Sequence, residues 1–191
     1  MNKIFTTLLM ALGLVAVSCA QPRQKMENKA KQDKNIVVAY FSATGNTAAV
    51  AKTLAAVTGG TLYEITPQQK YTDKDLDWND STSRSSVEMH DQKARPKLKA
   101  DDADIADCSI VFLGYPIWWD EAPRVVNSFI ESHDLKGKTI IPFATSGGSS
   151  IVNSVRVLKK TYPSLRWQEG RLLNHESDDY IKDWAESAIG E

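Results

Sequence analysis

Three short stretches combine hydroxyls, glycines or aromatics, and each directly follows an apolar run. Ser42-Ala43-Thr44-Gly45-Asn46-Thr47 follows residues 35–41, Gly114-Tyr115-Pro116-Ile117-Trp118-Trp119 follows 109–113, and Thr145-Ser146-Gly147-Gly148-Ser149 follows 138–144. The first joins a strand to a helix without lysine or arginine. A helix start offers amide donors and partial positive charge, which suit a phosphate dianion. Gly45 lets the backbone curl round the oxygens, while Ser42, Thr44 and Thr47 add short hydroxyl donors. This stretch lacks the Gly-Lys-Ser/Thr ending of a nucleotide-hydrolysing loop and the G-x-G-x-x-G of a dinucleotide site. Taken alone, the stretch also reads as a capped helix after a turn.

Adjacent tryptophans at a strand end are hard to bury together, because their side chains leave the chain in different directions. At least one of Trp118 and Trp119 is expected against a flat ring or at a pocket mouth. A hydrophobic cap or a protein-contact patch is the competing reading. The third stretch supplies close backbone approach at Gly147 and Gly148, suited to the polar edge of a heterocycle, though such turns also simply begin helices. A phosphate cradle, an aromatic wall and a small polar loop together fit a phosphate-bearing aromatic cofactor, with flavin mononucleotide (FMN) the best candidate.

These loops need elements to place them. Residues 35–41, 109–114 and 138–144 read as strands buried on both faces, 61–65 as a short strand, and 165–173 as a weak fifth strand. Helical spacing marks 47–57, 123–131, 150–160 and a closing helix from Asp178. Residues 66–100 form a long polar connection with a possible helix over 81–92, ended by Arg95-Pro96. Alternating strands and helices define an α/β fold, a doubly wound five-stranded parallel sheet in the order 2-1-3-4-5 with helices on both faces. In that layout, strands 1 and 3 flank the switch point where ligands bind, and the first two loops close those strands.

On these residues the chain resembles the flavodoxin superfamily, in the branch carrying the Y-P-I-W-W loop. Ser42, Thr44, Gly45, Asn46 and Thr47 meet its S/T-x-T-G-N-T pattern. The resemblance implies that residues 42–47, Ala43 included, bind the FMN phosphate. It also implies that Pro116, Ile117, Trp118 and Trp119 cover the flavin ring, and that Thr145, Ser146, Gly147 and Gly148 face its pyrimidine edge. The insert at 66–100 departs from short flavodoxins.

The amino terminus reads as a leader. Met1-Asn2-Lys3 is basic, residues 4–17 are almost wholly apolar, and Val15-Ala16-Val17-Ser18-Cys19 resembles a bacterial lipobox. Residues 1–19 are thus expected to be a lipoprotein signal peptide, with Cys19 acylated, 20–34 a polar tether, and 35–191 the domain. An ordinary secretory signal cleaved nearby is the alternative. Cys108, the other cysteine, is expected in the core. His90, His133 and His175 read as surface residues, although His90 and Asp91 sit where the insert could approach the flavin. Asp101-Asp102 and Asp178-Asp179 read as solvated helix-start charges. A net charge of -1 with scattered basic residues argues against nucleic acid.

The expectation is a lipid-anchored redox protein, exported to the periplasmic side of a bacterial membrane. It would pass electrons through noncovalent FMN to a redox partner protein or a small-molecule acceptor. Two other readings stay open. One is an NAD(P)H-dependent FMN oxidoreductase acting on quinones or similar small acceptors. The other is a lipid-anchored binding module without cofactor.

Overall fold

Ile36–Tyr40 is buried over its last four residues, as a strand covered on both faces must be. In the computed structural model, which describes residues 35–99 and 105–190, it is β1, the centre of a parallel sheet. The leader, Cys19, the tether and Asp101-Asp102 lie outside the described residues. The other strands are β2 (Thr61–Glu64), β3 (Ile110–Pro116), β4 (Thr139–Thr145), β5 (Arg166–Trp167) and β6 (Arg171–Leu172). The helices are α1 (Asn46–Thr58), α2 (Arg84–His90), α3 (Arg124–Ser132), α4 (Ile151–Thr161) and α5 (Asp178–Gly190).

The order β2-β1-β3-β4-β5 is the one expected. Alternate residues of each strand feed opposite faces. Val37, Ala39, Val111 and Leu113 pack with Val125, Phe129 and Leu158 of α3 and α4, while Val38, Tyr40 and Phe112 pack with Leu54 of α1 and Ile181 of α5. Each large side chain buried in this way contributes about 1.5–3 kcal/mol. Cys108 is buried in the first of these clusters, as expected.

The sheet has six strands rather than five, because the single strand expected over 165–173 breaks in two. Both pieces run parallel to β4, but Ile140 pairs with Trp167 and Ala144 with Leu172, so four steps along β4 face five across it. The carbonyls of Ile140 and Ala144 accept from the Gln168 and Leu173 amides. Pro142, midway between them and aimed at the same edge, has no N–H to give. The ladder lapses at that point and the extra residue is accommodated as a bulge.

The insert is tied at its base. Gln68 N donates to Lys97 O and Lys99 N to Thr66 O, and Pro67 pairs with Leu98 in an antiparallel bridge. Arg95 forks onto Glu131 of α3 through two 2.8 Å contacts and holds that carboxyl below its usual range. The expected helix at 81–92 is shorter. It starts after Ser83, whose hydroxyl accepts from Ser86 N, and ends where Asp91 turns extended, so Arg95-Pro96 plays no part in stopping it.

Candidate cofactor cleft

The loops after β1, β3 and β4 leave the same end of the sheet. In the first, Gly45 adopts φ +94°, a conformation that favours glycine, and its amide donates to Ser42 Oγ at 3.1 Å. The α1 N-terminus that follows has no side-chain cap and no acidic residue in its first turn. Its leading amides thus face an exposed surface at Thr44, Gly45 and Asn46, and a Cβ at Gly45 would meet nothing within 4 Å. Thr47 turns inward instead. Its hydroxyl lies 2.8 Å from that of Thr145, both residues are buried, and the bond ties the first loop to the third.

The aromatic loop is a tight hairpin. Trp118 and Glu121 exchange two backbone hydrogen bonds of 2.9 and 3.0 Å, and the central residues, Trp119 and Asp120, have φ of 46° and 62°. Two left-handed residues in sequence make a type I′ turn, usually built from Asn-Gly. Neither residue here is glycine, so each position carries strain of about 1–2 kcal/mol. Side chains hold the turn shut. Asn153 donates to Asp120 O at 3.0 Å, and Glu121 pairs with Arg124 at 2.8 Å. Arg124 is only 3% exposed and also donates to Met89 O in the insert, while its Nε is buried without a partner.

The two tryptophans separate as their geometry requires. Trp118 meets Phe41 and Tyr71 edge to face at 5.6 and 5.3 Å, whereas Trp119 is 40% exposed at the mouth, 6.1 Å from the His90 ring. Tyr71 in turn donates to Glu88 and lies 4.1 Å beneath the Arg84 guanidinium. Burial, reinforced by Glu88, pushes the Tyr71 phenol far up, so it stays protonated and keeps donating. Tyr115 is no part of this wall; it is fully buried against Ser154.

In the third loop, Ser146 Oγ accepts from the amides of Gly148 and Ser149, and Ser146 N donates to Asn174 Oδ1 at 2.8 Å. That bond draws the segment after β6 to the cleft.

Two adjoining cavities result, sharing Thr44, Pro116, Ile117 and Trp118. One, of about 330 Å³, adds the polar side chains of Asn46, Thr145, Ser146, Asn174 and His175, with Gly147. The other, of about 410 Å³, is apolar and adds Ala43, Trp119, Leu76, Trp78 and Ser85. Each falls within the range of about 300–1,000 Å³ usual for small-molecule sites. Of the residues singled out in sequence, Ser42, Gly45, Thr47 and Gly148 shape the loops without lining either cavity. Leu76, Trp78, Ser85, Asn174 and His175 were not anticipated. Asn174 and His175 lie just past the last strand, after Leu173, the position where such folds place ligand contacts, and this was the available signal. His90 and His175 are exposed as expected, but His133 is half-buried, its ring 4.5 Å from that of Phe129.

A doubly wound parallel sheet with an uncapped helix start, an aromatic hairpin and a small polar loop at its switch point defines a flavodoxin-type domain. The flavodoxin family profile matches residues 35–188, and the chain belongs to that family. A Bacteroides eggerthii protein provisionally classed as a flavoprotein is 59% identical, with a TM-score of 0.78 over 81% of this chain and 98% of that one. A Bacteroides uniformis protein of the same description is 52% identical, with a TM-score of 0.78 over 81% of this chain and 99% of that one. A Lactobacillus acidophilus flavoprotein solved in complex with FMN shares the fold at 18% identity and TM-score 0.61, over 80% and 99% of the two chains. No curated protein matches the chain.

Proposed function

We propose that this protein binds FMN noncovalently and passes electrons through it, within the branch marked by Tyr115-Pro116-Ile117-Trp118-Trp119. The observation that carries the reading is the uncapped α1 N-terminus opening into a cavity where Thr44, Asn46, Thr145 and Ser146 meet the aromatic hairpin. The donor set fits the cofactor. The amides beyond Gly45, with Thr44 and Asn46, would hold the phosphate. Thr145 to Gly147 would meet the pyrimidine edge, and Trp118 and Trp119 would shield the ring from water. The FMN complex of the Lactobacillus acidophilus protein, on the same fold, supports this assignment.

Bound FMN supplies reversible one- and two-electron transfer; the chain supplies position and environment. Among the described residues, no lysine, arginine or carboxylate lines either cavity, and His175 is the titratable side chain on the wall of the smaller one. A surround without lysine or arginine, and apolar beside the hairpin, disfavours the anionic reduced flavin. The midpoint potential of bound FMN is therefore expected to lie below that of free FMN, and potentiometry giving a higher value would refute this. The same lack of cations disfavours a nicotinamide dinucleotide as direct reductant, so electron transfer from a protein partner is the reading preferred here.

We further propose acylation at Cys19 and attachment on the periplasmic side of a bacterial membrane, because residues 1–19 carry the leader and lipobox pattern. The deciding experiment is an absorption spectrum of the purified full chain with and without added FMN. A yellow protein with shifted bands is expected, with affinity weakened about tenfold by Thr44→Ala or Trp119→Ala. A protein that never retains FMN would sink the redox reading and leave the binding-module one.

A further inference from the structure

Trp118 lines both cavities, and the plane of its ring is set from the insert. Phe41, Tyr71 and Trp118 pack as a closed trio in which every pair meets edge to face. The ring centres are 5.7 Å apart for Phe41 and Tyr71, 5.6 Å for Phe41 and Trp118, and 5.3 Å for Tyr71 and Trp118. Edge-to-face contact depends on relative tilt, so fixing two of the rings fixes the third. Phe41 is held by the core at 2% exposure. Tyr71 comes from the insert and carries the trio's hydroxyl.

That hydroxyl is clamped. It donates to Oε2 of Glu88 on α2, while Oε1 of the same carboxylate accepts from Arg84 Nε at 2.6 Å. Bonds to a charged group are roughly twice as strong as neutral ones, and here both carboxylate oxygens are engaged. Arg84 is fixed twice more, by the Gln69 carbonyl at 2.7 Å and by its seat 4.1 Å from the centre of the Tyr71 ring. The Arg84 and Glu88 side chains are 21% and 14% exposed, which limits competition from water. Neither Tyr71 nor Glu88 lines a cavity, so any bearing they have on the cofactor runs through Trp118.

We propose that Tyr71, clamped by Glu88 and Arg84, is a positioning residue that fixes the tilt of Trp118, and that the insert thereby sets the affinity and midpoint potential of bound FMN. The inference rests on the FMN reading for its cofactor, but on insert residues to which that reading gives no role. Its sign follows from what the cover does. A loosened Trp118 admits water, which stabilises the anionic reduced flavin more than the neutral oxidised one. Affinity for oxidised FMN then falls further than affinity for reduced FMN, and the midpoint moves up toward that of free FMN.

The test is FMN titration, visible circular dichroism of the bound flavin and potentiometry on the full chain and three variants. Tyr71→Phe keeps the ring and removes the hydroxyl, Glu88→Ala removes its acceptor, and Glu88→Gln keeps an acceptor oxygen. Tyr71→Phe and Glu88→Ala are each expected to weaken oxidised FMN about fivefold, alter the flavin dichroism and raise the midpoint. Glu88→Gln is expected to weaken it less than about twofold. A merely structural role would weaken oxidised and reduced FMN alike, so an unmoved midpoint in both Tyr71→Phe and Glu88→Ala would overturn the inference. Glu88→Gln as damaging as Glu88→Ala would also overturn it, by making the charge rather than the hydrogen bond the active element. FMN uptake with unshifted variants sinks this inference alone, whereas an unsubstituted chain that takes up no FMN sinks the FMN reading with it.

Discussion

Replacing Glu121 with alanine is expected to lower the unfolding free energy by about 3 kcal/mol, although its side chain is 20% exposed and touches no cavity. The cost comes from what is left behind. Arg124 would remain buried at 3% exposure with the Met89 carbonyl as its acceptor among the described residues, and its Nε is already without a partner. A buried cation stripped of its counter-charge is among the costlier single lesions, whereas apolar replacement of a whole pair is often neutral. Glu121→Leu combined with Arg124→Met should therefore recover most of the loss, and denaturant unfolding of the full cycle would measure the coupling. A single Glu121→Ala cost below about 1 kcal/mol would show that the pair behaves like a surface contact. The pair also joins the hairpin to the insert, so the same variant should loosen both walls of the apolar cavity together.

Gly114→Ala should be comparably damaging, for a purely steric reason. A Cβ there would sit 2.1 Å from Phe143 Cζ and 2.5 Å from Cε2, and Phe143 is its fully buried register partner on β4. The ring has no solvent to move into, so the neighbouring core must shift, at a cost of about 3 kcal/mol, near the upper end for overpacking. Adding Phe143→Leu should return a good part of the stability by opening the space. Thermal unfolding checks both, and a Gly114→Ala protein with an unchanged midpoint would mean that the ring swings aside freely. Because Gly114 lies two residues before Pro116, backbone movement there would also displace the aromatic hairpin.

The strand order and the three loops were legible because each depends on local residue type. The apolar runs within 35–41, 109–113 and 138–144 read as buried strands in so regular an alternation, and Gly45 following Ser42 and Thr44 marks a helix start suited to an anion. The split of the fifth strand had a visible cause, Pro142, but its effect falls on the strand alongside, some 25 residues later. The hairpin at Trp119-Asp120 was hidden because it lacks the glycine or asparagine that normally announces a type I′ turn. It is enforced by Asn153 and by the Glu121–Arg124 pair rather than by its own preferences. The insert was least readable. Its placement depends on pairings such as Arg95 with Glu131, 36 residues apart, which leave no periodic trace.

Strands of two residues, parted by a bulge, leave the β5–β6 margin without an unbroken row of donors and acceptors. A second chain therefore finds no template there for adding its own backbone. Copies crowded together would meet through side chains, which part again, rather than through a shared ladder, which does not. One imino acid in β4 thus helps protect the sheet from fibrous self-association at high local concentration.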